Sequence, residues 1–84
     1  MSYRDNTPDT VEFWKGLGRR IIGTRTAAGI TQQQLADFIG LGRSSVANIE
    51  AGRQRVPVTT LIKIARRLEV SLDALVFGDR GGAA

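Results

Sequence analysis

Apolar residues recur along the chain at helical spacing, in runs parted by polar or glycine-bearing stretches. Phe13, Leu17, Ile21, Thr24 and Ala28 share one stripe, with Trp14 and Ile22 beside it, and predict a first helix over residues 10–28. Asp9 or Thr10 can cap it behind Pro8, and Glu12 suits its positively polarised end. Gly16, Gly18 and Gly23 weaken this helix, so a kink or late start is expected; Gly18 and Gly23 equally suit the close approach of another helix. Past a stop at Gly29, Thr31 and Gln34 have the spacing of a capping box, with Ile30 and Leu35 at the staple positions. They open a second helix over residues 31–39 whose inner face is Leu35, Ala36 and Ile39. Gly40-Leu41-Gly42 is the turn, with Leu41 expected in the core. A third helix over residues 43–51 turns Val46 and Ile49 inward and stops at Gly52. After a basic loop closed by Pro57, a fourth helix over residues 58–68 buries Leu61, Ile64, Ala65 and Leu68, with Lys63, Arg66 and Arg67 mostly outward. Ser71 caps a fifth, bearing Leu72, Leu75 and Val76 and halted by Gly78.

No strand-like alternation and no repeat interrupts this series. The expected fold is therefore all-α, five helices around one core, and 84 residues suffice for a single domain with a modest core. The expected division is a flexible arm at residues 1–9, a folded domain at 10–78 and a flexible tail at 79–84.

The two short helices that meet at Gly40 make a helix-turn-helix. On the second, Arg43, Ser44, Ala47 and Asn48 lie opposite Val46 and Ile49. That face is small and polar enough to enter a DNA major groove. The Arg43 fork matches guanine O6 and N7, Asn48 matches adenine N6 and N7, and Ala47 leaves room for a thymine methyl. Ser45 stands between base and phosphate. The start of the second helix, with Gln32 and Gln33, suits a phosphate, and Arg53, Gln54 and Arg55 sit where a loop passes the sugar-phosphate backbone. Arg25 and Glu50 lean inward on their helices, so they are expected to pair.

Charge agrees with this chemistry. Twelve Lys and Arg against eight Asp and Glu give a net charge of +4, carried mainly by arginine. A basic balance alone would equally allow an acidic protein or a membrane surface. The absence of cysteine and histidine removes a disulfide frame, a cysteine nucleophile and the usual zinc sets, so no metal or cofactor is expected. Asp37, Glu50, Glu69 and Asp73 form no paired constellation, and an enzyme is not expected. No stretch is apolar and long enough to span a bilayer, residues 1–9 do not read as a leader, and no effector domain for a small molecule is evident. The expected setting is the cytoplasm, at the nucleoid.

Residues 25–77, preceded by Leu17 and Ile21, resemble the phage-repressor family of Cro-like or XRE-type helix-turn-helix proteins. The likeness is carried by Arg25, Ile30-Thr31-Gln32, Leu35-Ala36, Gly40, Val46, Ile49-Glu50 and Gly52. Pro57, Leu61, Ala65, Leu68, Val70-Ser71 and Leu75 continue it. The resemblance implies a five-helix, lambda-repressor-like domain bound to double-stranded DNA, here with an extended first helix. It implies Gln32 on phosphate, Arg43, Ser44, Ala47 and Asn48 toward bases, and an Arg25–Glu50 pair behind the reading helix. Gly42, Ala51 and Phe38 depart from the family pattern, as does the extension bearing Phe13 and Trp14.

One reading helix spans only a few base pairs, so a homodimer on a near-palindromic operator is expected, with half-sites about 34 Å apart. The fifth helix is the candidate interface, through Leu72, Leu75, Val76 and Phe77. In the alternative, Leu72, Leu75 and Val76 finish the core and leave Phe77 alone outside. The function classes open are a sequence-specific transcription regulator, most simply a repressor; a DNA-binding antitoxin or restriction-modification controller; and a protein-binding adaptor using Phe13, Trp14 and Phe38.

Overall fold

The computed structural model describes residues 10–78. Among these, α1 (Val11–Ala27), α2 (Gln32–Ile39), α3 (Arg43–Glu50), α4 (Val58–Leu68) and α5 (Leu72–Phe77) follow one another with no strand. The expected arm and tail lie outside the described residues. No described helix is long and apolar enough to cross a membrane.

The Thr10 hydroxyl accepts the Phe13 N–H at 3.1 Å and starts α1, which then runs unbroken past its three glycines. The reason lies partly at Gly18, where α1 crosses α3. A Cβ there would collide with the Glu50 carbonyl oxygen and stand 2.8 Å from that of Ile49. Gly23 faces open space, so the second close approach considered in the sequence does not occur.

Both halves of the capping box are formed on α2: Gln34 N–H donates to the Thr31 hydroxyl at 3.0 Å, and Thr31 N–H donates to Gln34 Oε1 at 2.9 Å. Gly40 ends α2 at φ +78°. Leu41 does not enter the core; it is 40% exposed at a turn where its N–H closes back onto the Ala36 carbonyl, and Ile39 and Val46 are the buried residues on either side of it in sequence. Leu17, Ile21, Leu35, Val46, Ile64 and Leu75 are the largest fully buried side chains. Val56, in the basic loop, joins them and anchors that loop from inside.

One expectation about α5 is corrected, and α1 supplies a contact that helical spacing did not announce. Arg20 on α1 reaches the end of α5. Its Nε donates to the Leu75 carbonyl at 2.7 Å and its Nη2 to that of Val76. A short helix leaves its last carbonyls without partners, and the guanidinium supplies them. Burial, and then the like charge of Arg19, lower the pKa of Arg20 from the usual arginine value. Leu75 is only 1% exposed and belongs to the core, so it offers no surface to a second molecule. Leu72 and Val76 pack partly against the core, and Phe77 stands 65% exposed.

Candidate nucleic-acid interface

The outer face of α3 is fixed by what its inner face buries. Val46, Ile49 and Glu50 are buried, which turns Arg43 and Ser44 to the surface and leaves Ser45, Ala47 and Asn48 half-buried along the same helix. Gly42 precedes α3 without a side-chain cap, so the first-turn amides meet no such partner. At the other end Ala51 is the cap rather than the last helical residue.

Gly52 then makes the turn at φ +74°, and its Cα hydrogen faces the α1 backbone: a Cβ would stand 2.7 Å from Lys15 Cα. Conformation and space both demand glycine here. The turn bonds Gly52 N–H to the Ile49 carbonyl and Arg53 N–H to the Asn48 carbonyl, each at 3.0 Å. Paired bonds of this kind form a Schellman motif. The motif folds Arg53 back over the end of α3, and the Arg53 guanidinium donates through Nη1 to Asn48 Oδ1 at 3.3 Å.

Behind the face lies a charged network. Arg25 donates from Nε to Glu50 Oε2 at 2.6 Å and from Nη2 to Oε1 at 3.1 Å, with the two side chains 12% and 3% exposed. Arg25 Nη1 also holds the Ile30 carbonyl at 2.9 Å, tying α1 to the entry of α2. Gln32 completes the set, its Nε2 donating to Glu50 Oε1 at 2.9 Å. A carboxylate only accepts, so the Gln32 carbonyl must point away from it. Arg43 Nη1 approaches that carbonyl at 3.5 Å, the outer limit of a hydrogen bond.

Helical spacing places Gln32 at the start of α2 but gives no sign that its amide N–H is already held by Glu50. Gln33 is exposed and donates to Asp37 at 2.8 Å within α2. Gln54 and Arg55 are exposed on the loop beside Arg53. That loop, Val11, Trp14 and Gly52 line a shallow open cleft. Phe13 and Trp14 meet edge to face, with centroids 5.0 Å apart, and Trp14 packs against the core. Phe38 is 53% exposed, with the Arg67 guanidinium 6.0 Å from its ring centroid. Among the described residues no group of acids stands close enough to hold a metal ion.

A helix pair joined at a glycine, with a small polar outer face and basic flanks, defines the helix-turn-helix class. The helix-turn-helix family pattern matches residues 24–75, more than half of the chain, and the chain belongs to that family in its XRE-type, Cro-like form. It is 38% identical over 62 residues to a SPbeta prophage-derived HTH-type transcriptional regulator, YonR, of Bacillus subtilis, covering 74% of this chain and 57% of that protein. It is 39% identical over 59 residues to the cryptic phage CTXphi transcriptional repressor RstR of Vibrio cholerae, covering 70% and 53%. The chain thus spans little more than half the length of these relatives. The restriction-modification controller protein C.AhdI of Aeromonas hydrophila superposes with a TM-score of 0.74 at 33% identity, over 80% of this chain and 97% of that one.

Proposed function

We propose that the chain is a sequence-specific DNA-binding regulator of transcription, most simply a repressor acting as a homodimer on a near-palindromic operator in the cytoplasm. The observation that carries this reading is the outer face of α3, where exposed Arg43 and Ser44 stand in line with half-buried Ala47 and Asn48. Those four side chains enter the major groove and meet base edges. Ser45, Gln33, Arg53, Gln54 and Arg55 meet the sugar-phosphate backbone and set the register. Gln32 stands at the entry of α2 between Glu50 and Arg43, and adds a backbone contact only through the outer side of its amide. Exclusion of polymerase from an overlapping promoter is the simplest consequence of such binding.

A second reading keeps the DNA chemistry and changes the setting. C.AhdI, itself a restriction-modification controller, is similar to the chain in fold and at 33% identity, which supports a controller role of that kind. The adaptor reading has less support, since Trp14 packs against the core and Phe38 is the exposed one of the three aromatics.

Equilibrium binding to duplex DNA across a salt series tests the function. Displacement of counterions from phosphates makes log affinity fall linearly with log salt, and the affinity for a selected site should exceed that for random duplex by about a thousandfold or more. Affinity that ignores salt, or that is equal on both duplexes, would overturn it.

A further inference from the structure

We infer that Arg53 sets the base preference of Asn48, turning it from a reader of adenine into a reader of guanine; this rests on the DNA-reading function proposed above. An asparagine amide with both ends free matches adenine, accepting from N6–H and donating to N7. Asn48 does not have both ends free. Its Oδ1 accepts from Arg53 Nη1 at 3.3 Å. A guanidinium has only donors, so the partner atom is the amide oxygen and the amide nitrogen is turned the other way.

The pairing is built into the backbone. Gly52 makes its turn at φ +74°, where any Cβ would collide with Lys15 on α1, and the turn bonds Arg53 N–H to the Asn48 carbonyl at 3.0 Å. Arg53 is therefore held to Asn48 twice, by main chain and by side chain. The Arg53 contact turns Oδ1 toward Arg53 and leaves the amide nitrogen at the opposite side, so on this inference Asn48 meets the groove through its two N–H donors. Guanine offers two adjacent acceptors, O6 and N7, whereas adenine sets an N6–H donor against one of them. Arg53 is thus a positioning residue that acts through Asn48, in addition to any phosphate it meets.

The test is enrichment from a randomised duplex library at one fixed salt, with wild-type protein, Arg53→Ala, Arg53→Lys and Asn48→Ala. The base pair read by Asn48 is the one whose preference vanishes in Asn48→Ala. At that pair wild type should favour guanine over adenine by about tenfold, within the usual range for one well-formed base contact. Arg53→Ala should move the preference to adenine, and Arg53→Lys, which restores a donor, should retain guanine. A lost phosphate contact weakens all sequences alike and cancels in the base ratio. Adenine preferred by wild type, a ratio unchanged in Arg53→Ala, or no pair affected by Asn48→Ala would each overturn the inference. If wild type enriches no sequence at all, the failure belongs to the DNA-reading function instead.

Discussion

Arg25 shows how much one side chain can connect. It bonds Glu50 twice and the Ile30 carbonyl once, so it joins α1, the entry of α2 and the end of α3. Removing it leaves a carboxylate that is only 3% exposed, to which Gln32 still donates. Breaking a buried pair from one side strands the other charge, so Arg25→Met should destabilise the protein by about 3 kcal/mol in urea unfolding. An unchanged midpoint would mean that water replaces the guanidinium. The pairing was readable because both residues lean toward the core on their helices. The role of Arg20 was not. Arg20 meets the Leu75 carbonyl 55 residues away, and nothing in local spacing announces the packing of α1 on α5.

At the scale of elements, boundaries were legible where side chains make them. Thr31 with Gln34, and Ser71, whose hydroxyl accepts the Ala74 N–H at 3.0 Å, mark helix starts by chemistry that needs no tertiary partner. The end of α4 is different. Glu69 takes the left-handed turn at φ +58°, the positive-φ position among the described residues not filled by glycine. A Cβ is strained there, and a carboxylate at a helix C-terminus opposes the dipole. Glu69→Gly relieves both and should stabilise by about 1 kcal/mol, raising the melting temperature by about 4–8 °C. A fall in melting temperature would show that the entropy lost by glycine outweighs the strain removed. Leu41 is the converse case. Its apolar character suggested burial, but the close of α2 turns it outward while Ile39 and Val46 complete the core.

For the whole molecule, the eight residues of α3 extend about 12 Å and cover only a few base pairs. The proposed dimer would answer this with two copies, their reading helices about 34 Å apart on one face of the duplex. The interface proposed on α5 narrows to Phe77, with Leu72 and Val76 at its edge, because Leu75 is spent in the core. Phe77→Asp should leave folding intact and shift the protein to monomer in sedimentation equilibrium at micromolar concentration. A dimer that survives this change would move the interface away from α5, and a wild type that is monomeric both free and on paired half-sites would remove the dimer.

The central claim is that α3 reads bases, and Arg43 at its N-terminus tests it most directly. Equilibrium binding of wild type and Arg43→Ala would be compared, at one fixed salt, on a selected duplex and on each of its single-base variants. Arg43→Ala should lose about 1–3 kcal/mol on the selected duplex and become indifferent to the base at one pair, while preferences elsewhere persist. An equal loss on every duplex, with all preferences intact, would place Arg43 on phosphate and contradict base reading by the start of α3.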